Sequence, residues 1–261
     1  MALDPVEREF EDKVVLVTGG GGGCIGGPTA LRFAQEGARV AICDMHERRL
    51  REWSERIRKE TSARVLDFQL DIADRPKVDA MIAETTRGLG PVDLLICNAA
   101  ENKLGHMVEY DPADWDRTIE VSLSANFYLS RKVLPAMVER RGGGIIHIGS
   151  IAAWVGDPNP ERGEPAYAAS KAALLALTRN IAHEVGPFGV RCNAIALGLI
   201  WSRFVEKFDA QFRPLIEKTP LRRYGQTADV IECILFLASD RRSGFITGES
   251  VNVSGGFYMR P

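Results

Sequence analysis

Long apolar runs, metal-ligand spacings and an excess of one sign of charge are all missing from this chain of 261 residues. No apolar run reaches the length that crosses a bilayer, so no membrane-spanning helix is expected. The N-terminal MALDPVEREFEDK is acidic and polar, where a secretory leader is basic and then apolar, and a cytoplasmic protein is expected. The 33 Lys and Arg nearly balance the 35 Asp and Glu, leaving a net charge of -2 and no basic stripe, which argues against a nucleic-acid partner. Arg48, Arg49 and Arg51, or Arg222 and Arg223, read as solvated helix or loop faces. The cysteines, Cys24, Cys43, Cys97, Cys192 and Cys233, are odd in number, scattered and mostly set in apolar runs, as reduced thiols are. No CxxC occurs, and His46, His106, His147 and His183 form no HExxH, so a metal site is not expected.

Internal repeats and low-complexity tracts are absent too. What is present is an alternation of short β-branched apolar runs with longer amphipathic segments, the pattern of βαβ units feeding a parallel sheet. Strands are predicted at 14–17, 39–43, 64–69, 92–97, 144–148, 190–196 and 250–253. Helices are predicted at 26–36, 46–60, 75–89, 112–140, 165–185 and 227–239. Seven strands and six helices fit a single doubly wound α/β domain over 1–261, a Rossmann fold with a seven-stranded parallel sheet flanked by helices. Two segments break the rhythm: 154–165, WVGDPNPERGEP, and 199–224, an aromatic and basic stretch. Ligands of open α/β sheets sit beyond the carboxyl ends of the strands, so both segments are expected to enclose a substrate.

Immediately after the first strand comes TGGGGGCIG, Thr18 to Gly26, opening a helix. Glycines let the backbone approach a pyrophosphate, and the helix N-terminus offers aligned N–H groups and partial positive charge. Such a loop between strand and helix marks a dinucleotide site. The second strand ends in Asp44 and Met45, roughly 20 residues on, where a carboxylate accepts bonds from both adenosine ribose hydroxyls and repels a 2'-phosphate. NAD is therefore favoured over NADP.

YAASK places Tyr167 and Lys171 at i and i+4 on one helix face. A phenol titrates near about 10 in water, and a neighbouring ammonium is expected to lower that value until Tyr167 serves as acid and base. Ser150, ending the apolar run IIHIGS, can bond the substrate oxygen. A Ser after a strand is also often only a cap, and a Tyr and Lys four apart occur by chance. Their joint appearance after a nucleotide loop and Asp44 points to hydride exchange at a carbon bearing oxygen.

In these residues the chain resembles the classical short-chain dehydrogenase/reductase family over almost its whole length. Thr18, Gly19, Gly23, Cys24, Ile25 and Gly26 then correspond to the cofactor loop, and Asp71 and Ile72 resemble the family's adenine-contacting pair. CNAA, with Asn98, Ala99 and Ala100, resembles its Asn-Asn-Ala-Gly motif. LGLIWS, with Gly198, Ile200 and Ser202, is similar to the segment that holds the nicotinamide carboxamide, and TGESVNVSGG to the C-terminal strand. The resemblance implies that Tyr167 is the acid/base, that Lys171 lowers its pKa and binds ribose, that Ser150 orients the substrate, and that the protein is a homotetramer.

The chain departs from that pattern in places. Cys24 stands where glycine is usual, so its side chain must point away from the pyrophosphate or the loop must bulge. Ser122 replaces an asparagine that holds a water linking the lysine to solvent, and as a fourth catalytic member it would need a displaced water. Ala100 for glycine and Leu197 for proline are milder changes around the nicotinamide. The stretch from Ser150 to Tyr167 is longer than the family norm. Asp157, Glu161, Arg162 and Glu164 are candidates to meet a polar substrate, and Trp154, Trp201, Phe204 and Phe208 to form an aromatic wall. The expected activity is NAD-linked interconversion of a small secondary alcohol and its ketone. The alternatives are an enoyl reductase or epimerase on the same fold, or a non-catalytic NAD-binding partner subunit.

Overall fold

The apolar runs at 14–18, 94–97 and 190–197 are buried along their whole length, which is what a parallel sheet covered by helices on both faces requires. A computed structural model describes residues 8–156 and 163–259. The chain runs β1 (Val14–Thr18), α1 (Gly26–Gln35), β2 (Arg39–Asp44), α2 (Glu47–Glu60), β3 (Val65–Gln69), α3 (Arg75–Gly88) and β4 (Leu94–Cys97). It continues through α4 (Pro112–Ile119), α5 (Ala125–Arg140), β5 (Gly143–Ser150), α6 (Pro165–Val185) and β6 (Val190–Leu197). Last come α7 (Arg203–Lys207), α8 (Asp209–Lys218), α9 (Thr227–Ala238), α10 (Asp240–Ser243) and β7 (Ser250–Val253).

The seven strands form one parallel sheet in the order β3-β2-β1-β4-β5-β6-β7. Order reverses between β1 and β4, the switch point at which such sheets bind ligands. β5 and β6 pair residue for residue from Gly143 with Val190 to Ser150 with Leu197, so Ser150 stands at the sheet's carboxyl edge. One core layer packs Val15, Val17, Ile42 and Ile96 against α1, α2 and α9, and the other packs Leu16, Leu95 and Ile145 against α3, α5 and α6. At Gly27 a Cβ would lie 2.3 Å from the Trp53 ring, so only glycine lets α1 and α2 approach this closely.

The predicted single helix over 112–140 is two helices joined by a wider π turn, Glu120–Ser124. Long-range bonds made by this turn, described below, are the physical reason; periodicity alone runs straight through it. Arg191 on β6 is 6% exposed and closes the opposite edge. Its guanidinium donates to the Leu237 and Ala238 carbonyls at the end of α9, to Ser243 Oγ, and twice to Asp240. Arg191→Ala takes the guanidinium donor from both carbonyls, leaving Leu237 only its bond from Ser243 Oγ, and is expected to cost about 2–4 kcal/mol of stability, read from a denaturant midpoint at unchanged slope.

Candidate active site

Thr18 and Asn98 tie the carboxyl ends of β1 and β4 together. Thr18 Oγ accepts from the Asn98 and Ala99 N–H groups at 3.0 Å, and Asn98 Nδ2 donates to the Thr18 carbonyl at 3.0 Å. Thr18 therefore shapes the loop from behind and lines neither of the two cavities there. Gly19 takes φ +66°, and a Cβ on Gly26 would lie 2.0 Å from its carbonyl, so the loop folds back on the start of α1 through glycine alone. At Gly23 added bulk would meet nothing within 4 Å.

Two cavities flank this loop, of about 590 and 530 Å³. Asn98, Ala100, Glu101 and Asn102 line both, so they form one groove across the sheet's carboxyl edge. The first holds Gly19, Gly22, Asp44, Met45, Asp71 and Ile72. Asp44 accepts from the Gly21 N–H at 3.0 Å and the His46 N–H at 2.9 Å, which fixes its carboxylate. Burial raises its pKa, against the pull of Gly21, the Arg49 charge and Met45. Arg49 lines this cavity too, so it is not the purely solvated charge its helical position suggests. Arg48 and Arg51 do pair along the helix, with Glu52 and Glu47. The Asp71 carboxylate is engaged by Arg117 at 2.8 Å, a partner 46 positions away that no local pattern announces.

The second cavity brings together Cys24, Ile25, Ser150, Tyr167, Lys171, Gly198, Ile200 and Ser202. Cys24 turns toward this side, its thiol donating to the Trp201 carbonyl at 3.2 Å. The chamber's outer wall is Val205 of α7, Phe212 and Leu215 of α8, and Phe257 from the C-terminal segment. The expected aromatic wall is therefore built otherwise. Trp154 stacks on Tyr258 at 5.1 Å, Trp201 packs against Tyr224, Phe208 lies under Lys207, and none of the three lines the chamber. The side chain of Phe204, and Asp157, Glu161 and Arg162, lie outside the described residues. The helical spacing of Phe212, Leu215 and Ile216 was the signal for this wall.

Lys171 is 2% exposed and donates to the Ile148 carbonyl at 2.7 Å, with its Nζ 5.3 Å from the Tyr167 ring centre. Burial pulls the ammonium down to about 8, partly opposed by the Cys97 thiol. Tyr167 runs against expectation. Burial and then the Glu164 carboxylate push its phenol above the ordinary value, and the bond to Ser150 only partly offsets them. The expected lowering by Lys171 does not decide the phenol's state: desolvation of the phenolate is the largest effect on it. Ser150 plays two parts: its hydroxyl accepts from the Ala152 N–H at 3.1 Å, capping a short turn, and also bonds Tyr167.

Ser122, on the π turn, is fully buried and does not offer a free hydroxyl. Its Oγ accepts from the Glu101 N–H and donates to the Glu101 carbonyl, both at 3.0 Å, while Asn126 Nδ2 caps its own carbonyl at 2.8 Å. It pins the segment that lines both cavities. His147 is held between Ser130 and Thr178 at 3.2 and 2.9 Å. Burial, then the Lys171 charge, push His147 down to about 3, which keeps it neutral.

The glycine cradle, the fixed Asp44 carboxylate and the connected cavities fit an extended dinucleotide lying across the sheet edge. Among the described residues, no helix is long and apolar enough to cross a membrane. A family model described as enoyl-(acyl carrier protein) reductase matches residues 22–258. The chain is 37% identical over 255 residues to the (2S)-[(R)-hydroxy(phenyl)methyl]succinyl-CoA dehydrogenase subunit BbsD of Thauera aromatica, covering 95% of this chain and 97% of that one. It is 34% identical to the 3-oxoacyl-[acyl-carrier-protein] reductase FabG of Thermotoga maritima, covering 96% and 99%. Among solved structures, a short-chain type dehydrogenase/reductase from Mycobacterium marinum superposes with a TM-score of 0.89 at 28% identity, over 97% of this chain and 98% of that one. A 3-oxoacyl-[acyl-carrier protein] reductase from Brucella melitensis gives 0.88 at 30%, over 100% and 99%.

Proposed function

The chain belongs to the short-chain dehydrogenase/reductase family of nicotinamide-dependent oxidoreductases, and from that premise we propose that it interconverts a secondary alcohol and its ketone with NAD. The observation that carries this reading is the meeting of Ser150, Tyr167 and Lys171 in one chamber, continuous with a cavity that ends on Asp44. A bound nicotinamide supplies the hydride acceptor or donor and, when oxidised, a positive charge.

The chain does the rest. Gly19, Gly23, Cys24, Ile25 and Gly26 form the turn that takes the pyrophosphate, Asp44 and Met45 the ribose, and Asp71 and Ile72 the adenine. Asn98, Ala99 and Ala100 floor the groove, and Gly198, Ile200 and Ser202 face the nicotinamide. Ser150 holds the substrate oxygen, Tyr167 takes the carbinol proton in oxidation or returns it in reduction, and Lys171 supports the developing phenolate. Ser122 acts through Glu101 and is a positioning residue. The homotetramer implied by the family is part of the same proposal.

Among secondary alcohols, acyl thioesters with a hydroxyl or oxo group near the thioester are the class that the relatives' names share. The mainly apolar wall of Val155, Val205, Phe212, Leu215 and Phe257 suits an acyl or aryl chain on such a carbinol. The enoyl reductase reading is less well supported, since Ser150 shares the chamber with Tyr167 and its hydroxyl suits an oxygen at the reacting carbon. The test is a panel of secondary alcohols, including 3-hydroxyacyl-CoA thioesters, incubated with NAD, and a parallel panel of enoyl thioesters incubated with NADH. NADH is expected to form, and hydride addition to enoyl thioesters without any alcohol oxidation would replace this reading by the enoyl reductase one.

A further inference from the structure

Glu164 occupies an unusual place for a carboxylate. It is the residue before the first turn of α6, and Tyr167 lies in that turn. Both line the same chamber, together with Ser150 and Lys171. The carboxylate is held from across the groove, where Asn102 Nδ2 donates to Glu164 Oε2 at 2.7 Å. A second stitch, from the Gly105 N–H to the Gly163 carbonyl at 2.9 Å, binds the same two segments. A helix start and a tethered side chain thus fix the negative charge relative to the phenol, in a chamber that is otherwise mainly apolar and so screens charge weakly.

We propose that Glu164, tethered by Asn102, is a positioning residue that shifts upward the pH range over which Tyr167 works, adding its charge to the effect of burial. This rests on the oxidoreductase reading only for its consequence in turnover. The physical basis is that a fixed anion disfavours a second anion beside it.

Other charged groups face the same region. Tyr167 and Lys171 come from its own helix, Glu101, Lys103 and Tyr110 from the segment after β4, and Asp114 from α4. Lys103 is shared between Glu101 at 3.5 Å and Asp114 at 3.9 Å, and Arg117 binds Glu101 at 3.0 Å. Residues 157–162, which precede Glu164, lie outside the described residues.

The test needs no substrate. The ionisation of Tyr167 is read as the ultraviolet tyrosinate signal of the protein minus that of its Tyr167→Phe variant, across a pH titration. Glu164→Gln keeps an acceptor for Asn102 and removes the charge, and is expected to lower the midpoint by about half to one pH unit. Glu164→Asp keeps the charge and should stay closer to the parent. An unmoved midpoint in Glu164→Gln, or equal shifts in both variants, overturns the proposal. Where an alcohol is turned over, the acid limb of kcat for oxidation should move with the midpoint. If no alcohol is turned over while the midpoint still shifts, the function assigned above fails and this role for Glu164 stands.

Discussion

Tyr167→Phe is expected to lower kcat for alcohol oxidation by about 10²–10⁴-fold, with KM changed little. The ring stays where it packs over Lys171, with the ammonium 5.3 Å from its centre, so substrate binding and helix structure lose almost nothing. What disappears is the hydroxyl proposed to accept the proton, which shares the chamber with Ser150 at the carboxyl edge of β5. Among the described residues the neighbours are engaged elsewhere: Lys171 donates to the Ile148 carbonyl, the Glu164 carboxylate accepts from Asn102, and the Glu101 carboxylate accepts from Arg117. Steady-state NADH formation checks this. A loss smaller than about tenfold would mean that the proton leaves by another route, and that Tyr167 is not the acid and base. If the parent protein binds NAD and turns over nothing, the alternative of a partner subunit is the one that survives.

Asp44→Asn is expected to shift the ratio of NAD to NADP efficiency by about 10²-fold toward NADP, since two charge-assisted bonds to ribose are weakened and a repulsive charge is removed. Asparagine keeps one acceptor oxygen, enough for the Gly21 N–H bond that fixes the loop at 3.0 Å, while its NH2 group then faces the His46 N–H. Asp44→Ala loses that acceptor and the one for the His46 N–H, and should weaken both cofactors while still relaxing the preference. Arg49 makes the prediction sharper than the carboxylate alone would. It lines the same cavity, and its charge already acts on Asp44, so a 2'-phosphate entering the variant meets a guanidinium. Cofactor efficiency measured for both nucleotides decides it. An unchanged ratio in both variants would remove Asp44 from the choice, and loss of the NADP gain in Asp44→Asn/Arg49→Ala would confirm what Arg49 adds.

Much of the site was legible because its parts are local. The glycine loop, the position of Asp44 after β2, and the i, i+4 spacing of Tyr167 and Lys171 each follow from a short stretch of chain whose geometry is set by its own hydrogen bonds. The seven strands were legible for the same reason, as apolar runs in a sheet buried on both faces. Elements whose form depends on a distant partner were not. Periodicity carries a helix through 112–140, while the bond between Ser122 and Glu101, 21 positions apart, goes with a π turn there. Aromatic residues in 199–224 suggested a wall, but which of them face the chamber was settled by how α7 and α8 lie on it. Trp201 turns to Tyr224, and Phe212 faces inward.

The proposed catalytic trio shows the same division. Composition, order and spacing sufficed to place Ser150, Tyr167 and Lys171 at one strand end and one helix face, because those relations are matters of chain geometry. The electrostatic state of the phenol was decided only in three dimensions. A neighbouring lysine predicts a lowered value, whereas burial and a carboxylate held from 62 positions away push it up. Desolvation and long-range charge depend on everything packed around a group, and no short stretch of sequence contains that sum.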